Sequence, residues 1–312
     1  MIRNIDKIRL VYYTGTGGTR MVSESFATQL REQGADVTIQ RLKAGEPEAN
    51  GDYDLLILLY AVYAFNAPEP VYDWIVKLPG QQEKPAVVIS VSGGGEMSPN
   101  TACRRKSIRM LEKKGYRVDY ENMLVMPSNI AIATKAPLDK MLLDVLPYKV
   151  GKIIDDLRLG VVHRKSPHLI DRALTSMGGL ERLGGHMFGK RIRVSDACNG
   201  CGFCAANCPS GNIFMKEGRP VFASKCFFCM NCLYSCPQQA LRPGFGKMAV
   251  LKNGLDLNKL AATPAAEKLS AEQLKKLAPG IAWSAVRKYI TEDQADNQLG
   301  DQSKEQEEGA AV

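Results

Sequence analysis

Up to about residue 160, the apolar positions switch repeatedly between two periodicities. Ile8 to Tyr13, Asp36 to Gln40, Asp54 to Tyr60, Ala86 to Ser92 and Tyr116 to Val125 are short runs rich in β-formers. Asp54 to Tyr60 is almost continuously apolar, the pattern of a strand covered on both faces. Arg20 to Gln33 places Met21, Val22, Phe26 and Leu30 at helical spacing, and Gly34 closes the segment. Val71 to Leu78, Asn100 to Lys114 and Leu138 to Leu159 are the other predicted helices, the last containing Pro147. Strands alternating with helices predict an α/β fold over residues 1–160, a doubly wound parallel sheet with helices on both faces.

The alternation stops at Val161. Residues 161–194 hold paired glycines, seven Arg or Lys against two acids, and all three histidines, His163, His168 and His186. This reads as a basic connector, partly helical, with exposed histidines. Residues 195–245 form a second, small α+β domain around a cysteine repeat. Within it, Ile213 to Phe222 reads as a hairpin turning at Glu217-Gly218. Residues 246–290 carry weak helical patterns, and Ser270 with Gln273 fits a capping box opening a helix to Ala278. Residues 291–312 are acidic and polar, the composition of a disordered tail.

The chain has 312 residues, enough for about two domains. Its longest apolar run, the eleven residues from Leu55 to Phe65, is too short to span a bilayer. The N-terminal residues run straight into a strand, without a signal-peptide core, so a cytoplasmic location is expected. The net charge is +8, but the tail from Thr291 holds seven acids and one base, so residues 1–290 carry +14. A basic body suits nucleic acid, an anionic membrane surface or an acidic protein. No base-reading motif accompanies the connector's charge, so the expectation is a basic docking face for a redox protein and no nucleic acid.

Eight of the nine cysteines lie between Cys198 and Cys236. Cys198, Cys201, Cys204 and Cys208 recur 28 residues later as Cys226, Cys229, Cys232 and Cys236, each half ending in Cys-Pro. Clustered cysteines without an export signal indicate metal rather than disulfides. A zinc ribbon uses separated pairs, not three thiols in seven residues followed by a fourth. Cys103 stands apart and reads as a buried bystander.

The repeat resembles that of bacterial ferredoxins with two [4Fe–4S] clusters. The resemblance implies crossed ligation. Cys198, Cys201, Cys204 and Cys236 hold one cube, and Cys226, Cys229, Cys232 and Cys208 the other.

After the first strand comes Thr14-Gly15-Thr16-Gly17-Gly18-Thr19. Glycines let the chain approach a phosphate, and backbone N–H groups at a helix start with hydroxyls at 14, 16 and 19 can donate to it. A dinucleotide fingerprint starting at Gly15 fails at Arg20. The turn resembles the flavodoxin phosphate loop, which binds FMN. That resemblance implies that the isoalloxazine ring lies between Val62-Tyr63-Ala64-Phe65 and Ser92-Gly93-Gly94-Gly95, with Tyr63 and Phe65 able to stack on it or simply to pack.

Taken together, the chain resembles flavodoxin–ferredoxin fusion proteins of anaerobic bacteria and archaea. Ala61-Val62-Tyr63-Ala64 and Met126 to Asn129 match loops of that family, except that Ala61 replaces a proline. The resemblance implies an electron carrier passing electrons between two [4Fe–4S] clusters, FMN and a redox partner. The alternative is a flavoenzyme reducing a small substrate at FMN. No catalytic acid–base residue stands out in the ring loops, so the sequence leaves enzymatic activity open.

Overall fold

The computed structural model describes residues 6–44, 51–130, 136–176, 179–244 and 246–292. The first layer begins with β1 (Lys7–Tyr13), α1 (Gly18–Glu32), β2 (Asp36–Arg41), β3 (Leu55–Ala61) and α2 (Glu69–Lys77). It continues through β4 (Lys84–Ser92), α3 (Arg105–Lys113), β5 (Tyr116–Val125), α4 (Ala136–Asp144) and α5 (Leu146–Leu159). The five strands form one parallel sheet in the order β2-β1-β3-β4-β5, the flavodoxin-like doubly wound order.

Two cores flank the sheet because successive side chains point to opposite faces. Leu10, Leu55, Ile57 and Leu59 meet α1 and α5 on one face, while Val11, Tyr13, Leu56, Leu58 and Tyr60 meet α2 and α3 on the other. The helix predicted from Leu138 to Leu159 is two helices. Pro147 lies in the first turn of α5, where its missing N–H costs nothing, whereas inside one continuous helix it would break the ladder.

The connector is more ordered than its composition suggests. His163 exchanges backbone hydrogen bonds with Asp119 and Glu121 and so extends the edge of β5. Its ring lies 5.2 Å from Tyr120, so it is a packed residue and not a free one. α6 (Leu169–Ser176) and α7 (Gly179–Lys190) follow. Part of the connector's positive charge is already matched. Arg164 pairs with Glu112 and Glu121, and Lys165 with Glu96.

The small domain contains β6 (Arg193–Val194), α8 (Phe203–Ala206), β7 (Ile213–Lys216), β8 (Arg219–Phe222), α9 (Asn231–Tyr234) and β9 (Leu241–Arg242). β6 pairs with β9, and β7 with β8 through the expected turn, where Glu217 and Gly218 both have positive φ. The C-terminal extension holds α10 (Leu257–Ala261), α11 (Ala271–Leu277) and α12 (284–292). The Ser270/Gln273 capping box opens α11 as expected. This extension packs on the first domain. Leu274, Ala278, Val286 and Ile290 share a core with Val125, Leu138, Met141 and Leu142. Beyond Glu292 the acidic tail lies outside the described residues. Among the described residues, no helix is long and apolar enough to cross a membrane.

Candidate cofactor-binding site

Four loops leave the carboxyl ends of β1, β3, β4 and β5 and meet around one cleft. Its lining includes Thr14, Gly15, Thr16, Gly18 and Thr19, then Val62, Tyr63, Ala64 and Phe65, then Ser92, Gly93 and Gly94. Gly17 and Gly95 stand behind this lining. Gly17 caps α1, and Gly95 packs against Ala285 of α12.

The turn after β1 offers donors rather than charge. Thr14 Oγ1 accepts from the Gly17 N–H at 3.1 Å, and Thr16 Oγ1 accepts from Asn129 Nδ2 at 2.8 Å. Each hydroxyl proton is therefore still available to a ligand oxygen. Thr19 is buried and its Oγ1 has no partner. A buried unpaired hydroxyl at a helix start suits an anion at that place. These residues fit a phosphate group.

The second loop is a tight two-residue turn. Tyr63 and Asn66 exchange backbone hydrogen bonds at 2.8 and 2.9 Å, and Ala64 and Phe65 between them both take positive φ. Phe65 is consequently held at the surface, 36% exposed, over the cleft mouth. The third loop is braced by Asn100, whose Nδ2 donates to Ser92 Oγ at 3.2 Å and to the Gly95 carbonyl at 3.3 Å.

A fourth loop, Met126 to Ile130, also lines the cleft. The sequence marked Met126 to Asn129 only as a family-like segment. In the fold, Asn129 links the phosphate turn to the cysteine domain. Its Nδ2 binds Thr16, and its carbonyl accepts from Tyr234 Oη at 2.9 Å. Apart from Tyr63, no side chain among the described residues of this lining titrates, so the Tyr63 phenol is the cleft's one candidate general acid or base.

The connector clamps two of these loops. Asp171 of α6 accepts from Ser98, from the Thr101 N–H and from the Thr101 hydroxyl. Burial raises its pKa, but these hydrogen bonds outweigh burial and leave it below the ordinary carboxylate value. The Thr175 carbonyl accepts from Asn66 Nδ2 at 3.0 Å.

Cys226, Cys229 and Cys232 lie within electrostatic reach of one another and of Cys208, Cys204 lies within reach of Cys198 and Cys236, and Cys232 and Cys204 also reach each other, so the two groups adjoin. Among the described residues, no three His, Cys, Asp or Glu side chains converge on one metal ion. The two groups differ in burial. Burial pushes the Cys226 thiol up to about 11 and the Cys229 thiol up to about 12, while Cys201 is exposed. Loading Cys226 and Cys229 with iron must displace protons that burial makes them hold more tightly than an ordinary thiol does.

The buried group lies against the flavodoxin-like domain. A Cβ added to Gly15 would stand 2.8 Å from the Cys229 carbonyl and would also collide with Tyr63 Oη. The Ala44 N–H donates to the carbonyl of Pro209, next to Cys208, at 2.9 Å. On its other side this group is covered by α7. Cβ atoms on Gly185 and Gly189 would run into Cys226. The spacing of Gly185 and Gly189, one helical turn apart, was the available signal for this packing. Cys103 is buried with its thiol pushed up by burial, as expected of an idle cysteine.

Residues 197–240 match the 4Fe-4S dicluster domain family. No curated protein matches. Similar solved structures include a flavodoxin of Streptococcus pneumonia, 16% identical, covering 48% of this chain and 99% of that one with a TM-score of 0.35. A flavodoxin from the domain Archaea is 14% identical, covers 48% and 99%, and gives a TM-score of 0.33. A flavo di-iron protein from Thermotoga maritima is 19% identical, covers 38% and 30%, and gives 0.30. The fold assignment rests on the strand order itself. The chain joins a domain of flavodoxin-like fold to a 4Fe–4S dicluster domain.

Proposed function

We propose that the protein is an electron-transfer iron–sulfur flavoprotein carrying FMN and two [4Fe–4S] clusters. The observation that carries this reading is the contact between Cys229 and Gly15, which sets one cysteine group against the phosphate turn. Thr14, Thr16, Thr19 and the N–H groups of the turn would grip the FMN phosphate. Tyr63 and Phe65 would cover the ring, and Ser92, Gly93 and Gly94 would meet its polar edge. Cys208, Cys226, Cys229 and Cys232 would hold an inner cube. Cys198, Cys201, Cys204 and Cys236 would hold an outer one. When bound, the cubes pass single electrons and FMN accepts one or two.

The protein's own part is to keep the inner ligands dry and to fix them beside the flavin loops. Asn129 does this from one side and α7 from the other. The exposure of Cys201 supports electron exchange with a partner at that edge. Around that edge the bases Arg193, Lys216, Arg219 and Arg242 outnumber the acids Asp196 and Glu217, which suits an acidic redox protein. A substrate-reducing enzyme is the weaker reading because Tyr63 is the one side chain of the described cleft lining able to move a proton.

Anaerobic purification followed by iron and flavin analysis tests the proposal. About eight irons and one FMN per chain are expected for two cubes and one flavin. A preparation loaded with zinc, or free of flavin after FMN is supplied, overturns it.

A further inference from the structure

Arg104, Arg105 and Lys106 are three successive bases, and of these Arg104 alone is buried. A charge leaves water only where partners replace it. The partners here lie on three different elements, one for each guanidinium nitrogen. Nε donates to Glu121 of β5 at 2.8 Å, one terminal nitrogen donates to Ser90 of β4 at 2.8 Å, and the other donates to Glu96. Ser90 stands two residues before the loop Ser92-Gly93-Gly94-Gly95, and Glu96 stands directly after it. One side chain therefore ties both ends of that loop to each other and to the next strand. The connector backs up both carboxylates. Lys165 Nζ lies 2.6 Å from Glu96, and Arg164 Nε lies 3.3 Å from Glu121. Burial pushes the Glu96 carboxyl up, but Arg104 and Lys165 outweigh burial and hold it below its ordinary value.

We propose that Arg104 is the positioning residue of this loop and thereby sets how firmly the flavin ring is held. The inference rests on the FMN reading given under the proposed function, in which the loop meets the polar edge of the ring. Inside the loop, Ser92 Oγ accepts from the Gly94 N–H and from Asn100 Nδ2, both at 3.2 Å. These bonds fold the loop on itself, and Arg104 anchors the folded loop to β4 and β5. Three acceptors on three sides suit a planar fork with donors on every nitrogen, whereas a lysine ammonium is a single point. Arg104→Lys therefore keeps the charge and loses the anchor, which separates positioning from simple charge balance.

Arg104→Lys and Arg104→Gln are tested in the full, iron-loaded chain, titrated with FMN and with riboflavin by flavin fluorescence. Riboflavin has the ring and lacks the phosphate, so its affinity reads the ring loops, and the ratio of the two affinities reads the phosphate turn. Both variants should weaken both flavins by the same factor, about tenfold or more, and leave the ratio as in the parent. The reduction potentials of bound FMN should move toward those of the free flavin. Parent-like affinities and potentials in Arg104→Lys would mean that charge alone suffices and overturn the inference. A changed ratio also overturns it, because the disturbance then reaches the whole cleft. Should neither variant fold, Glu96→Ala cuts only the tie at the end of the loop and should give the same pattern, and parent-like values there overturn the inference. A parent chain that binds no FMN fails before any variant is made and overturns the FMN reading, and this inference with it.

Discussion

Gly200, Gly202 and Gly211 take left-handed backbone in the first cysteine repeat, and Phe228, Met230 and Gln239 take it 28 residues later in the second. The N–H groups of Asn212 and Ala240 likewise point at Cys208 and Cys236, each at 3.3 Å. Ligand geometry therefore repeats with the spacing, whatever residues carry it. What does not repeat is the packing. The first half uses glycines and leaves Cys201 in solvent, whereas Phe228 and Met230 enter a core with Phe188 and Leu233. Holding a non-glycine residue left-handed costs about 1–2 kcal/mol, which the buried side chains offset in the second half. Under the proposed ligation, the cysteines set which sulfurs share a cube, and the residues between them decide which cube faces the flavin.

The comparison breaks most visibly at α7. Gly189→Ala drives a methyl group into Cys226, so iron should fall from about eight to about four per chain, with the inner cube lost. Gly184→Ala meets nothing within 4 Å and should leave iron unchanged. Full iron in Gly189→Ala would show that the inner group is not packed this way. Next in size is Gly15→Ala. Tyr63 can swing aside, but the Cys229 backbone cannot, so FMN affinity should drop by about tenfold or more by fluorescence titration.

A third probe is acid. Asp171 has a depressed pKa when folded, so its contribution is present above its unfolded value of 3.8 and is lost as pH falls through the lower folded value. FMN release should steepen below about pH 4 in the parent and flatten in Asp171→Asn, whose affinity is already reduced. The smallest effect is expected at Gln239, exposed and left-handed. Gln239→Gly relieves strain without losing packing and should stabilise the protein by about 0.5 kcal/mol in chemical denaturation.

Much of this arrangement is legible in the residues themselves. Continuous apolar runs such as Leu55 to Tyr60 allow only a strand buried on both faces. The 28-residue cysteine spacing is legible before any fold is known, whereas the ligand sets are only what the ferredoxin resemblance implies. The break at Pro147 was legible but easily overridden, because apolar spacing continues through it. The connector was harder to read. Its glycines look like helix breakers, yet Gly185 and Gly189 form a small-residue face that lets α7 reach Cys226. Close approach of two backbones leaves no hydrophobic periodicity to detect.

The central claim is that the cube bound through Cys208 lies beside the flavin and the one bound through Cys236 does not. It is tested most directly by magnetic coupling between the flavin and the reduced iron, recorded for Cys208→Ser and Cys236→Ser in the anaerobically loaded protein. The account predicts that Cys236→Ser keeps the strong coupling and Cys208→Ser abolishes it. Strong coupling that survives Cys208→Ser and vanishes in Cys236→Ser would contradict it.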